Sequence, residues 1–471
     1  MTENNTIQYR QESDSIGVHD VPQSAYYGVQ SLRAYENFPI TGQVLRPEFI
    51  KSLAQVKKAS ATANERVGQL NSELAQAMIQ ACDEIIDGQW QDQFIVDPIQ
   101  GGAGTSMNMN INEVVANRAI DILGGQPGDY TIVHPNDHVN EGQSTNDVIP
   151  TAGKITVYQL SQGLLTALDR LNEALEAKAE AFNDVLKMGR TQMQDAIPIR
   201  LGQEFKAYAI AVKRSQQRLE HILEEMLVVN MGGTAIGTGL NADFNYFNEV
   251  VDDLAKITGL PLTQAADLID GTQHIDCFAA VSGVLKTSAL SLSKIANDLR
   301  LLSSGPRTGF NEINLPKMQN GSSIMPGKVN PVIPEVVNQV AFRVVGNDTT
   351  ISMAVEAGQL ELNAFEPVIF YSLFESITIL EHGIDTFIDN CIQGITANED
   401  RCQELIDASV GTITALVPHI GYQKAADIAK EALVSGNRVQ DLVVQAGLLS
   451  QAEVESIMAA NKMTTPGICK A

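Results

Sequence analysis

The longest amphipathic pattern in the chain begins near residue 151 and limits the possible fold more than any other feature. Large apolar residues recur there at spacings of three, four and seven, at Leu160, Leu164, Leu168, Leu171, Leu175 and Phe182. This spacing places them on one face of a helix. If the helix is continuous over 151–186, it spans on the order of 50 Å. Such a helix needs long partners, so the pattern predicts an elongated helical bundle.

Four more long helical patterns follow this one along the chain, at 200–230, 277–303, 332–355 and 363–393. The five patterns together predict an all-α chain with a central five-helix bundle domain over 147–396. Small residues on these helices allow packing on more than one side, which favours oligomerisation through the bundle. Examples are Ala279, Ala280, Ser282, Gly283 and Ala289.

Two further regions flank the predicted bundle. Residues 1–146 are interrupted by glycine and proline and predict a mostly helical N-terminal domain. Residues 397–471 predict a small helical C-terminal domain with shorter helices. The expected helices there are 399–408, 423–434, 437–446 and 450–459.

The charge balance excludes several classes of function. Lys and Arg number 32 against 56 Asp and Glu, which gives a formal net charge of −24. A nucleic-acid partner is therefore not expected, and an anionic substrate would have to be held by local donors and cations. No run approaches the ~20 apolar residues of a membrane helix, so no membrane partner is expected.

Cysteine use and the N-terminal residues indicate a cytoplasmic location. Five cysteines are scattered without short pairs, which argues against a disulfide framework and against a Cys-type zinc site. Met1 to Asn5 carries no charged-then-apolar leader. We therefore expect a protein of the reducing cytoplasm.

A glycine-rich loop between two of the helical patterns carries the main candidate site. Two serines follow Gly321, a lysine follows Gly327, and Asn330-Pro331 opens the next helix. Glycine lets the backbone approach a ligand closely, and free N–H groups at a helix start attract anions. The loop therefore suits a substrate with carboxylates or phosphates. An ordinary connection between helices is the alternative.

Three other polar clusters also lie at the ends of predicted helices. They contain Thr105 in a glycine-rich stretch, Ser144-Thr145-Asn146, and Thr191 after Gly189. Capping of a helix explains any one of them, and for Thr105, Ser106 or Asn108 it is as good an explanation as ligand binding. Four clusters together suggest a composite site, more easily assembled if different subunits supply its parts.

Histidine spacing does not predict a metal site. His134 and His138 lie at i, i+4, but Pro135 between them argues against a pair of zinc ligands on a helix. The sequence also contains no Gly-x-Ser-x-Gly elbow and no phosphate-binding loop with Gly-Lys-Ser/Thr.

The stretch 321–331 reads Gly-Ser-Ser-Ile-Met-Pro-Gly-Lys-Val-Asn-Pro and resembles the signature of the aspartase/fumarase superfamily. The other clusters follow the order seen in that family, so the resemblance runs from about Tyr27 to the C-terminus. It implies a three-domain fold and a homotetramer whose central bundle has twenty helices, with each active site drawing on three subunits. It also implies a small-molecule substrate, a dicarboxylate that undergoes reversible elimination to fumarate.

The same resemblance implies roles for individual residues. Ser322 would be the general base that removes a proton from the carbon next to a carboxylate, giving an aci-carboxylate intermediate. N–H donors of the loop give a rationale, because they could stabilise an alkoxide. No cofactor is implied for the chemistry, although Mg²⁺ is a plausible activator. The substrate would be bound by Thr105, Ser144, Thr145, Asn146, Thr191, Ser323, Lys328 and Asn330.

Within the superfamily, the residues are most similar to the aspartate ammonia-lyase branch. Fumarase-type sequences are similar to Gly-Arg-Thr-His at the place where this chain reads Gly189-Arg190-Thr191-Gln192. Loss of hydroxide needs a proton donor, whereas an ammonium group already carries the proton with which it leaves. The glutamine side chain at position 192 cannot titrate, so it cannot be that donor. We therefore expect deamination of L-aspartate by anti elimination. A class II fumarate hydratase and a non-catalytic scaffold of the same fold are the alternatives.

Two features of the N-terminal region have a second explanation. His134 to Asp137 resembles a second dicarboxylate contact of the family, but a surface turn explains this stretch equally well. Arg33 could support the site, although a salt bridge at its rim is the simpler expectation.

Overall fold

A computed structural model of the chain describes residues 8–469. The N-terminal stretch Met1 to Asn5 lies outside these described residues. The described chain is mostly helical with no closed sheet, which confirms the all-α fold class. None of the helices within 8–469 is both long enough and apolar enough to cross a membrane.

The helices agree with the periodic patterns of the sequence, except that the one predicted at 200–230 ends at Ile222 and is followed by a 3₁₀ turn, Leu223–Leu227. All five long helices are present, and the longest, of 37 residues, begins at Thr145 rather than at residue 151. In chain order the helices are α1 (Val29–Asn37), α2 (Pro47–Arg66), α3 (Ser72–Ile86), α4 (Thr105–Ile122), α5 (Thr145–Ala181), α6 (Leu201–Ile222), α7 (Phe244–Thr258), α8 (Leu268–Gln273), α9 (Asp276–Leu302), α10 (Val332–Glu356), α11 (Glu366–Asn390), α12 (Glu399–Ala408), α13 (Val417–Ile420), α14 (Tyr422–Ser435), α15 (Val439–Gln445), α16 (Gln451–Ile457) and α17 (Ala460–Met463).

The described strands are short and form four two-stranded pairs. The pairs β1–β2, β3–β4 and β7–β8 are antiparallel, and β5–β6 is parallel. The strands are β1 (Tyr9–Ser13), β2 (Val18–Pro22), β3 (Leu186–Thr191), β4 (Gln194–Arg200), β5 (Val228–Val229), β6 (Thr263–Gln264), β7 (Ile313–Asn314) and β8 (Thr396–Ala397). The sequence did not predict these pairs.

The chain divides into two compact units, each built from three segments. The first contains Met1–Leu165, Gln217–Thr287 and Arg343–Leu380, and the second contains Thr166–Gln216, Ser288–Phe342 and Glu381–Ala471. The boundaries fall inside the five long helices, so each unit contains a part of every one of them. The division into three domains at residues 146 and 396 stays a prediction.

Aromatic packing organises the core of the first unit. Phe370 on α11 stacks on Phe374 with ring centroids 5.7 Å apart and meets Phe278 edge-on at 5.1 Å. Gly153 on α5 is part of this packing, because a Cβ there would lie 2.2 Å from the Phe370 ring. A side chain at Gly153 would force the aromatic cluster apart.

A separate apolar cluster holds the C-terminal helices of the second unit together. Its buried members come from α13, α14, α15, α16 and the residue before α13, which agrees with the shorter helices expected there. They are Leu416, Ile420, Ala425, Ile428, Ala432, Val439, Leu442, Val443, Val454 and Ile457.

Candidate active site

The loop that leads to α10 is closed at its neck by one main-chain hydrogen bond and one hydrogen bond from a side chain. The N–H of Gly321 donates to the carbonyl of Lys328 at 3.0 Å, and the Asn330 amide donates to the carbonyl of Gly321 at 2.7 Å. Gly321 permits this approach, because a Cβ there would lie 2.5 Å from the Lys328 oxygen. Gly321 thus permits a close contact between two parts of the loop, and the predicted approach of its backbone to a ligand stays a prediction.

The hydroxyl of Ser322 lies inside this closed loop and accepts two backbone hydrogen bonds. The N–H of Ile324 donates to Ser322 Oγ at 3.2 Å, and the N–H of Met325 donates at 3.0 Å. Donors that point at an oxygen favour its anionic form. The geometry therefore suits an oxygen that carries negative charge during a reaction.

The other predicted loop residues have different environments. Ser323 and Lys328 are exposed, and no hydrogen bond or ion pair holds the Lys328 ammonium within the described residues. The amide of Asn330 is committed to the neck of the loop through its bond to Gly321. The Lys328 ammonium is thus available to an anion, whereas one N–H of the Asn330 side-chain amide is already bonded within the loop.

Thr191 lies at the tip of the β3–β4 hairpin in the same unit. It pairs with Gln194, so Gln192 and Met193 form a two-residue turn with φ of +50° and +65°. Positive φ is unfavourable for side chains of this kind, and such strain often marks functional segments. Sequence reasoning missed the hairpin because Gln-Met lacks the Asn-Gly preference of this turn.

Ser144, Thr145 and Asn146 begin α5 in the first unit. The N–H of Ser144 donates to Asp147 Oδ1 at 2.9 Å, and Ser144 Oγ accepts the N–H of Asn146 at 3.2 Å. The Asn146 amide donates to the carbonyl of Ala235 at 2.7 Å. These contacts fix the backbone of the cluster and leave its three side chains partly exposed.

A proline inside α5 has a compensating partner. Pro150 cannot donate to the carbonyl of Asn146, four residues earlier. The side-chain amide of Asn230 donates to that carbonyl instead, at 3.0 Å. The helix therefore continues through Pro150, which lies just before the predicted start at residue 151.

Thr105 is the first residue of α4 and does not cap it. Gly104 occupies the cap position with φ of +83°, and the free N–H of Met107 in the first turn is accepted by Gln100 Oε1 at 3.2 Å. The capping explanation for Thr105, Ser106 or Asn108 is therefore wrong. The Thr105 hydroxyl donates to the carbonyl of Gly102 at 2.7 Å. Thr105 and Ser106 line a cavity of about 540 Å³.

The same cavity is lined by Arg33 and His134. Arg33 forms the expected ion pair, with Nε 2.8 Å from Asp14 Oδ2. His134 Nδ1 accepts the N–H groups of Asn136 and Asp137 at 3.2 and 3.1 Å, which makes it the cap of a single turn. The stretch His134 to Asp137 is therefore a turn at the edge of a cavity, and its binding of a second ligand stays a prediction.

A buried polar network supports the start of α5, and sequence reasoning missed it. The ammonium of Lys57, 1% exposed, donates to Asn140 Oδ1 at 3.0 Å and to Gln143 Oε1 at 2.9 Å. Asn108 donates to the same Asn140 oxygen at 3.0 Å and to Thr145 Oγ1 at 3.4 Å. The alternating asparagines of α4 were the available signal, because buried amides require partners.

Burial also changes the acid–base properties of this network. Desolvation lowers the pKa of Lys57 to about 7, opposed by the charges of Asp147 and Cys82. Desolvation raises the pKa of Asp147 to about 7, opposed by N–H donors from Ser144, Thr234 and Gly232 and by Lys57. Both groups are thus easier to neutralise than their exposed counterparts.

Replacing Lys57 by methionine is expected to change how stability depends on pH. The Lys57 pKa is about 7 in the folded chain and 10.5 as the reference value. Between these values the unfolded chain binds more protons, so wild-type stability rises with pH. Between about pH 7.5 and about pH 9.5, the free energy of unfolding of the wild type should rise by about 2 kcal/mol relative to that of the variant.

Urea unfolding at the two pH values measures this difference. Lys58→Met is the matched control, because Lys58 is the next residue of α2 and forms an ion pair with Asp83 that is partly exposed. The control should show no comparable gain. A Lys57→Met variant whose stability differs from wild type equally at both pH values would contradict a buried, titrating ammonium.

The structure therefore groups the predicted residues within each compact unit. In the first unit, the Asn108 amide connects α4, which begins at Thr105, to Thr145 at the start of α5. In the second unit lie Thr191 and the loop with Ser322, Ser323, Lys328 and Asn330.

Sequence profiles of known families cover most of the chain. A profile described as Lyase matches residues 17–346, and one described as Fumarase C C-terminus matches residues 413–465. The first contains all the predicted site residues. The second contains all ten buried residues of the C-terminal apolar cluster.

Individual proteins are similar over nearly their full length. An aspartate ammonia-lyase from Bacillus subtilis (strain 168) is 52% identical over 465 residues, which is 99% of this chain and 98% of the relative. A fumarate lyase:delta crystallin from Brucella melitensis bound to cobalt has a TM-score of 0.95 at 48% identity, covering 98% of this chain and 100% of that one. A recombinant class II fumarase from Schistosoma mansoni has a TM-score of 0.94 at 34% identity, with the same coverage.

Proposed function

This chain belongs to the lyase family, and from that premise we propose that it catalyses the reversible deamination of L-aspartate to fumarate and ammonia. It is a carbon–nitrogen lyase, as are the full-length relatives named aspartate ammonia-lyase at about half sequence identity. The polar clusters then have a common purpose, which is to hold a dicarboxylate while a proton is removed from carbon.

The observation that carries the mechanism is the pair of N–H groups directed at Ser322 Oγ, from Ile324 at 3.2 Å and Met325 at 3.0 Å. A serine hydroxyl is a weak base, and two donors make its alkoxide easier to form. The alkoxide removes a proton from the carbon next to one carboxylate, and that carboxylate takes up the electron pair as an aci-carboxylate. The electron pair of the aci-carboxylate then forms the carbon–carbon double bond of fumarate, and the carbon–nitrogen bond breaks so that ammonia leaves with its electron pair. The Ser322 hydroxyl, which now holds the proton taken from carbon, returns to the alkoxide by releasing that proton to solvent.

Charge is supplied to this reaction locally. The chain has a formal net charge of −24, which repels a dicarboxylate. Lys328 is exposed on the loop and can pair with a substrate carboxylate or with the dianionic intermediate. Neutral polar side chains complete the proposed binding of the substrate, from Thr105, Ser144, Thr145, Asn146, Thr191, Ser323 and Asn330. The Thr105 hydroxyl would have to exchange its hydrogen bond to the Gly102 carbonyl, whereas the Asn146 and Asn330 amides each keep a second N–H for the substrate.

Gln192 favours ammonia over water as the leaving group. It lies in the turn of the hairpin next to Thr191. Hydroxide must be protonated as it leaves, and an amide side chain cannot supply that proton. Ammonia needs no acid at this position, so the residue fits the deamination better than the hydratase reaction.

We also propose that the active enzyme is a homotetramer in the cytoplasm. The long helices present large apolar side chains to solvent in the single chain, such as Phe342 at 67% and Met353 at 69% exposure on α10. Exposed apolar surface of this kind is typical of an interface. Each active site would then draw its clusters from neighbouring subunits.

An activating Mg²⁺ is a proposal that rests on the family resemblance alone. Among residues 8–469, no three His, Cys, Asp or Glu side chains come together as ligands for a metal ion. No step of the reaction is therefore assigned to a metal ion.

The proposed function is tested by following the ultraviolet absorbance of fumarate with purified protein. L-aspartate and L-malate are supplied separately. We expect fumarate from L-aspartate and, at equal enzyme concentration, less than about 1% of that rate from L-malate, because Gln192 cannot protonate hydroxide. Turnover of L-malate alone would identify a hydratase, and turnover of neither substrate would indicate a scaffold.

A further inference from the structure

Four charged side chains are gathered beside the hairpin that ends in Thr191. The carboxylate of Glu312, 0% exposed, lies 2.9 Å from Arg190 Nη1 and 3.4 Å from Lys187 Nζ. Lys187 also contacts Glu204 at 3.2 Å. The two cations and two carboxylates balance, which makes this burial tolerable. The mechanism proposed above assigns no role to any of them.

Arg190 is held in one orientation by more than its charge. Its guanidinium lies over the ring of Phe310, 4.1 Å from the ring centroid, while Nη1 contacts Glu312. A planar guanidinium that is stacked on one side and paired on another has little freedom to move. Thr191 is the next residue in the chain, so its backbone is fixed from one side.

Glu312 is itself anchored through its backbone. Its N–H donates to the carbonyl of Leu302 at the end of α9, and its carbonyl accepts the N–H of Asn398, each at 2.9 Å. The chain continues from Glu312 through β7 into the loop that carries Ser322. The ion pair therefore connects the hairpin of Thr191 to the segment that leads to the general base.

The second strand of the hairpin, β4, is also held by a side-chain hydrogen bond, at the residue opposite Arg190. Asp195 is the register partner of Arg190, and its Oδ2 accepts the hydroxyl of Ser409 at 2.7 Å. Beyond this pair only the tip remains, with Gln192 and Met193 at positive φ. A strained turn keeps its conformation only where its base is held firmly.

We propose that the Arg190–Glu312 ion pair is a positioning device that holds Thr191 in register with the segment bearing Ser322. Neither residue touches the substrate in this proposal, and both act through Thr191. The inference rests on the proposed function, because it assigns Thr191 to substrate binding. Misplacement of a binding group by about 1 Å is enough to cost one to two orders of magnitude in rate.

A double-mutant cycle in kcat/KM for L-aspartate tests whether Arg190 acts through Thr191. Arg190→Lys keeps the charge but loses the planar stack on Phe310, and Lys187 still pairs with Glu312. We expect Arg190→Lys to lower kcat/KM about tenfold in the wild-type enzyme. In an enzyme that already carries Thr191→Val, the same substitution should lower kcat/KM less than about threefold further. If the two residues acted independently, Arg190→Lys would lower kcat/KM by the same factor in both backgrounds.

Matched controls separate positioning from general destabilisation. Arg438→Lys alters an exposed ion pair with Asp441 and should leave kcat/KM within about twofold. If Arg190→Lys does not fold, Glu312→Gln replaces it in the same cycle, because the glutamine oxygen can still accept from Arg190. Wild-type turnover of L-aspartate tests the proposed function independently of any variant. If the wild type turns over L-aspartate but the two substitutions lower kcat/KM by factors that multiply, the positioning role is overturned and the proposed function is not.

Discussion

Ser322→Ala is expected to lower kcat for L-aspartate by about a thousandfold, with a much smaller change in KM. The reason is that the variant loses the oxygen to which the Ile324 and Met325 N–H groups both donate. Without it the loop lacks the hydroxyl whose alkoxide these two N–H groups stabilise for taking the proton from carbon. Steady-state kinetics by fumarate absorbance measures both constants.

Ser323→Ala is the natural comparison for this experiment, because Ser323 is the neighbouring residue and has the same side chain. It is proposed to contact the substrate and not to take the proton, so its loss should mainly raise KM. A Ser322→Ala enzyme that keeps more than about a tenth of the wild-type kcat would remove the base assignment, since general-base catalysis is worth far more than that.

Gly321→Ala is expected to lower kcat/KM by about a hundredfold, because it would open the neck of the loop and displace the general base. A Cβ at this position would lie 2.5 Å from the Lys328 carbonyl oxygen and 2.6 Å from the Asn330 nitrogen. Both are main-chain atoms, so neither can rotate away as a side chain could. Fumarate formation and the thermal unfolding midpoint should be measured together, because the loop can lose its shape while the helices stay folded.

Gly327→Ala provides a matched substitution in the same loop. Gly327 has φ of +81°, but a Cβ there would meet no atom within 4 Å. The alanine costs about 1 kcal/mol through backbone conformation alone, and activity should stay within about threefold of wild type. Equal losses for Gly321→Ala and Gly327→Ala would show that loop strain matters and that the neck contact does not.

The long helices could be predicted from sequence because their signal is local and repeated. Each turn of α5 places another leucine on the same face, so an error at one position is corrected by the next. The sequence pattern places the start of α5 six residues late, however, at residue 151 instead of Thr145. Pro150 cannot bond to the Asn146 carbonyl, and the amide that replaces this bond comes from Asn230, far away in the sequence. No local pattern contains that information.

The candidate residues could be named from sequence, but most of their contacts could not. Ser322 was singled out through the family resemblance, and its two N–H donors are visible only in the structure. The support of Thr145 by Asn108, Asn140 and Lys57 depends on three segments that meet in space. The turn at Gln192 is formed against the local preference of its residues, and tertiary contacts at its base hold it.

The two donors to Ser322 have a consequence for evolution and for engineering. Both belong to the main chain, while the side chains of Ile324 and Met325 are 83% and 49% exposed. Replacing these side chains leaves the amide groups in place, unless the new residue is proline. The two positions can therefore be randomised to seek new substrate preferences while the machinery for proton removal is retained.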